Sequence, residues 1–129
     1  MLDIHALVID DNNRNLSVVS QLLALQGART TQISHPNQLF DVVPTLEPVD
    51  LVLLDLEMPG LDGYQVLNML RSDSRFDRAP IVACTVHVSE VGVTRDQGFD
   101  GFIAKPIDSD RFPEQIERVL RGEPVWEAR

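Results

Sequence analysis

The sequence predicts a doubly wound α/β fold, five parallel strands in one sheet with helices on both faces. Three observations carry this reading. Short apolar runs alternate along the chain with longer segments of helical period. Two of the runs, Leu51–Leu54 and residues 81–83, are apolar throughout, as parallel strands covered on both faces require. Finally, no internal repeat, low-complexity run or linker divides the 129 residues.

The first strand is His5–Ile9, followed at once by Asp10 and Asp11. Leu16, Val19, Leu22, Leu23 and Gln26 then recur at helix spacing. A second strand is expected over 30–33. Pro44 interrupts the segment 37–47, so the helix there is short, kinked or late in starting. The third strand, Leu51–Leu54, ends at Asp55, and Val66, Leu67 and Leu70 mark the helix beyond it.

The fourth strand, Ile81–Thr85, holds the single cysteine, Cys84, read as a small buried thiol. Segment 89–97 has Gly92 between two valines, which lowers its helix propensity. That glycine marks either a mobile helix or a close packing contact. The fifth strand is Gly101–Ala104, and the last helix sets Phe112, Ile116, Val119 and Leu120 on one side. Right-handed crossovers leave few topologies for such a series. The domain is expected to span 1–121, with 122–129 a loose tail whose Trp126, the only tryptophan, docks on the body.

Composition narrows the function. An apolar fraction of 43% fits a folded protein. Twenty acids against 11 bases give a net charge of -9, which repels nucleic acid and anionic lipid. No run approaches the roughly 18 apolar residues of a membrane span, and no signal peptide is apparent. A cytoplasmic protein without nucleic-acid or membrane partners is expected. One cysteine allows neither an intrachain disulfide nor a thiolate-rich metal site. Lys105 is the only lysine, and it stands before Pro106 at the end of an apolar strand.

Asp10, Asp11 and Asp55 all follow strand ends. A lone carboxylate there is ordinarily solvated or caps a helix, as Asp11 can. Three that converge repel one another and call for a cation. Oxygen ligands suit Mg²⁺, with Mn²⁺ as its substitute. A carboxylate held in such a site can attack phosphorus, and the spread charge of that transition state needs donors and cations. Thr85 offers a hydroxyl from the fourth strand end, and Lys105 a positive charge from the fifth.

With these residues in view, the chain resembles the receiver domains of two-component response regulators over nearly its whole length. The pair Asp10-Asp11, the segment 55–63 (DLEMPGLDG), Thr85 and Lys105-Pro106 stand in the family's order. The resemblance implies a flavodoxin-like sheet of order 2-1-3-4-5, with Asp55 the phosphoacceptor. It implies Mg²⁺ ligation by Asp11, Asp55 and the backbone carbonyl of Glu57, with Asp10 acting mainly through water. Lys105 would contact the phosphoryl oxygen across a cis Lys105-Pro106 bond, while Thr85 moves to bond it and Phe102 rotates behind. The bland reading of Phe102 is a core residue. Met58-Pro59-Gly60 is expected to form a stiff loop holding the Glu57 carbonyl, with Asp62-Gly63 opening the next helix.

Three positions depart from the common pattern. Phe102 lacks the hydroxyl of the tyrosine often found there, so any coupling rests on packing. Val86 stands where a smaller residue is usual. Glu57 brings negative charge over the phosphoryl site, and together Glu57 and Val86 are expected to alter the acyl phosphate lifetime. His87, on the same rim, is either a hydrogen-bond donor or a solvated side chain.

The expected activity is thus a switch with only self-catalysed phosphotransfer and autodephosphorylation. The donor would be a histidine kinase or histidine phosphotransfer domain, docking near 13–16 and the Pro106 loop. No effector domain is expected, and output is expected through a downstream protein at the face built from 89–97, Phe102 and the last helix. A homodimer is left open. The competing readings are a phosphorylation-independent adaptor, a fragment of a larger regulator or hybrid kinase, and a haloacid-dehalogenase-like phosphatase. For the last, Glu57 is only an approximate match to the second aspartate.

Overall fold

A computed structural model describes residues 2–35, 37–58 and 60–127. Its main sheet is built from β1 (His5–Ile9), β2 (Arg29–Ile33), β3 (Leu51–Leu54), β6 (Ile81–Thr85), β7 (Gly101–Ala104) and β8 (Trp126–Glu127). Their order is β2-β1-β3-β6-β7-β8, every pairing parallel. The first five reproduce the expected order, the second starting one residue early at Arg29. The sixth strand corrects the expectation of a loose tail: Trp126–Glu127 lie beside Phe102–Ile103 on the sheet edge. A separate hairpin joins β4 (Glu57–Met58) to β5 (Leu61–Asp62), antiparallel, with Glu57 opposite Asp62.

Among the described residues, five helices cover the sheet: α1 (Asn13–Leu25), α2 (Gln38–Val42), α3 (Gly63–Arg71), α4 (Val91–Gln97) and α5 (Phe112–Leu120). Helix α2 is short because Pro44 sits just beyond it, in a tighter 3₁₀ turn over Val43–Thr45. Asp11 does not cap α1. Asn12 does, its side chain accepting from Asn15 N at 3.1 Å. Asp62 caps α3, accepting from Tyr64 N at 2.9 Å, while Gln65 returns an acceptor to the Asp62 N–H. Gly63 is required there, since a Cβ would stand 2.8 Å from the Leu56 Cα.

Two cores lie on either side of the sheet. Leu7, Ile9, Val52, Leu54, Ala83 and Phe102 face α3 and the α4 side. Ala6, Val8, Leu53, Cys84 and Ile103 face the opposite way, against α1 and α5. This alternation follows from the period of two along each strand. Cys84 is buried, and burial pushes its thiol up to about 12, which leaves it unreactive. At Gly92 a Cβ would meet nothing within 4 Å, so the glycine marks no packing contact.

Candidate functional site

Strands β1 and β3 are neighbours with Ile9 opposite Leu54, so Asp10 and Asp55 leave adjacent strand ends side by side. Their backbones are pinned: Asp10 N donates to Ile33 O at 3.1 Å, and Asp55 N to Ile9 O at 2.9 Å. Asp10 and Asp55 are buried while Asp11 is exposed, yet one oxygen from each of the three lies within 4.8 Å of the others. An open cleft of about 480 Å³ adjoins them, lined by Asp11, Leu56, Glu57, Met58 and Asp62.

Lys105 enters from the end of β7. Its N–H donates to Thr85 O at 2.8 Å, and its bond to Pro106 is cis. The buried Nζ is bonded to an Asp10 oxygen and stands 3.6 Å from Asp55 Oδ2. Burial works against its charge. The bond to Asp10 and the charge of Asp55 outweigh that and raise its pKa.

Asp55 is the strained carboxylate. Burial is the largest influence on it, opposed by the nearby Lys105 charge and reinforced by Asp10. The Glu57 N–H, 3.3 Å from Asp55 Oδ1, lowers it again and Asp11 raises it, leaving a pKa of about 6. The group is mostly ionised at neutral pH, but at a cost that a cation would relieve.

Thr85 is fully buried, and its Oγ1 accepts from His87 N at 3.2 Å. Phe102 is likewise fully buried, one strand over. The more exposed residues line the rim. Val86 is 59% exposed, pointing largely into solvent. His87 Nε2 lies 2.6 Å from a Glu57 carboxylate oxygen, so Glu57 and His87 form an ion pair, when the ring is protonated, between β4 and the segment after β6. Neither side chain announces that pairing in sequence, since 30 positions separate them. Tyr64 donates to Glu90 and meets the Phe99 ring edge-on at 5.9 Å, tying α3 to the start of α4. Pro59, the middle of the stiff loop expected over 58–60, lies outside the described residues.

The structure therefore gathers Asp10, Asp11, Asp55 and Lys105 at one rim and puts Thr85, Glu57, Val86 and His87 around it. Compared with known proteins, residues 6–117 match the model of the response regulator receiver domain. The chain belongs to that family. It is a receiver domain of two-component signalling, of the kind found in response regulators and in hybrid histidine kinases.

Among its relatives, the sensor histidine kinase GacS of Pseudomonas protegens is 32% identical over 85% of this chain, which spans only 12% of GacS. The polar-differentiation response regulator DivK of Brucella anthropi is 27% identical over 88% of this chain and 94% of its own length. The receiver domain of a sensor histidine kinase from Pseudomonas aeruginosa, solved with magnesium in its active site cleft, superposes with a TM-score of 0.77. It is 24% identical and covers 93% of this chain and 99% of that domain, a likeness of fold. Among the described residues no helix is long and apolar enough to cross a membrane.

The receiver's donor set fits a hard divalent cation. Three carboxylates face a single ammonium, all donors are oxygen, and the open cleft leaves room for the waters that Mg²⁺ retains. Asp10, Asp11 and Asp55 each bring one oxygen within 4.8 Å of the others, close enough to share one such ion.

Proposed function

We propose that this receiver accepts a phosphoryl group on Asp55 from a phosphohistidine donor and signals by protein contact. The convergence of Asp10, Asp11 and Asp55 with Lys105 carries the reading. An Asp55 oxygen attacks phosphorus, the bond from phosphorus to the donor imidazole nitrogen breaks, and an acyl phosphate forms. Mg²⁺ held by Asp11, Asp55 and the Glu57 carbonyl supplies charge neutralisation for the phosphoryl oxygens. Lys105, charged and 3.6 Å away, meets the charge that Asp55 acquires.

Thr85 is the hydroxyl that turns to the phosphoryl group once formed, giving up its bond from His87 N. Phe102, opposite Ala83 in the β6–β7 pairing and so two residues short of Thr85, takes up the vacated space. Glu57 and His87 cover the mouth and modulate hydrolysis. The donor is a histidine kinase or a histidine phosphotransfer domain, and a net charge of -9 turns the chain away from nucleic acid.

Incubation with acetyl phosphate and Mg²⁺, read by intact mass, tests this. Wild type is expected to gain one phosphoryl group, and neither wild type in EDTA nor D55A to gain any. A phosphorylation-independent adaptor would gain none under any condition.

A further inference from the structure

Strand β8 takes up the outer edge of β7, between α4 and α5, at the face where the sequence leads one to expect signal output. Three residues hold it. Val125 is fully buried against the α5 side, and its carbonyl accepts from Phe102 N at 2.7 Å. Trp126, alternating to the other face, packs on the α4-side core with Arg95 of α4 stacked 4.7 Å from its ring centre. Glu127 returns to the α5 side, where it accepts from Arg111 and Gln115 at 2.9 Å and from Arg118 at 3.2 Å. Gly101 permits the approach, since a Cβ there would stand 3.1 Å from Val125 O.

The seat is a strand slot with an apolar pocket, a guanidinium (Arg95) to stack on an aromatic ring, and a donor clamp (Arg111, Gln115, Arg118) for a carboxylate. It is nevertheless lightly held. The pairing is two residues long, and an open cleft of about 770 Å³ lined by Phe99, Asp100, Pro124 and Trp126 adjoins the tail. Trp126 also stands directly opposite Phe102 in the register, and Phe102 in turn lies opposite Ala83, two residues before Thr85. Any repacking of Phe102 therefore acts on the ring that anchors the strand.

We propose that the β7 edge is this receiver's docking surface for an extended partner segment of apolar–aromatic–acidic pattern, and that the chain's own Val125-Trp126-Glu127 occupies it until Asp55 is phosphorylated. Main-chain pairing to the edge strand supplies affinity, and Arg95 with the Arg111–Gln115–Arg118 clamp selects the aromatic and acidic positions. The resting chain competes with its partner by being its own ligand, which lowers the apparent affinity by the fraction of time the slot is open. The release step rests on the proposed phosphorylation of Asp55; the occupancy of the slot does not.

Two measurements on the full chain separate these. Trp126 is the only tryptophan, so its fluorescence reports the strand directly. In protein shown by mass to be phosphorylated, emission is expected to shift to the red and acrylamide quenching to rise. A phosphorylated protein with unchanged emission and quenching overturns release. Independently of phosphorylation, a labelled peptide of residues 121–127 is expected to bind a W126A/E127Q chain at least roughly tenfold more tightly than wild type. Adding R118A to that variant is expected to weaken the peptide again. Equal binding to wild type and variant, or none to either, overturns the docking slot.

Discussion

The ammonium of Lys105 is bonded to Asp10 and stands 3.6 Å from Asp55, so the resting charge of the site is shared through Asp10. Asp55, the carboxylate proposed to react, keeps the looser contact and the pKa of about 6. Its ionised form is therefore less well accommodated in the fold than in the unfolded chain.

That imbalance sets a pH dependence of stability. A carboxyl whose folded pKa is raised binds its proton more tightly when folded, so stability is lost as pH rises from about 4 to about 6 and stays lost above. D55N removes the ionisation. In EDTA at pH 7.5 its Tm is expected to exceed wild type by roughly 3–6 °C, and the gap is expected to narrow at pH 4.5. Paired thermal melts at the two pH values check this.

Added Mg²⁺ is expected to raise the Tm of wild type and to leave D55N nearly unmoved. Calorimetric titration of D11N should show affinity at least about tenfold weaker, since one of the charged ligands is gone. Below pH 6 the proton on Asp55 competes with the metal, so wild-type affinity should fall with pH through that range.

The Glu57–His87 bridge, with side chains 66% and 43% exposed, adds little to folding. Its effect is expected on the acyl phosphate beneath it. E57N and H87A should each speed hydrolysis by roughly 3–10 fold, about 1 kcal/mol, and the double variant should do no more than either. V86A is expected to change the rate less than about twofold, because Val86 points largely to solvent. Decay of phosphorylated protein in the presence of Mg²⁺ measures all four, and equal rates throughout would remove the bridge from the account.

Phe102 is fully buried beside Ala83 on β6 and Trp126 on β8. F102A is expected to cost about 3–5 kcal/mol in urea unfolding. F102Y places a hydroxyl in that core and is expected to cost roughly 1–3 kcal/mol unless the ring turns outward to find water. A neutral F102Y with an exposed ring would show that the outward state is close in energy.

Much of the fold was legible because its signals are local. Continuous apolar runs such as Leu51–Leu54 identify parallel strands, and aspartates directly after them identify the rim. The residues brought together there, Asp10, Asp11, Asp55 and Lys105, could be paired in advance by the topology alone. What escaped has no periodic signature. Trp126–Glu127 is too short to alternate visibly, and its strand character comes from the edge of β7 and the cations around Glu127. The cap of α1 fell to Asn12, which directly precedes the helix, while Asp11 sits one residue earlier and gives an oxygen to the rim cluster. The Glu57–His87 bridge joins two exposed side chains, one from β4 and one from the segment after β6, and only their three-dimensional placement reveals it.

The most direct measurement of the central claim is chemical localisation of the phosphoryl group. Protein phosphorylated by acetyl phosphate with Mg²⁺ is reduced with borohydride, which converts an aspartyl phosphate to homoserine, and the digest is sequenced by mass. Homoserine at position 55 and at no other aspartate is the expected result. Homoserine at Asp10 or Asp11 with Asp55 intact would contradict it.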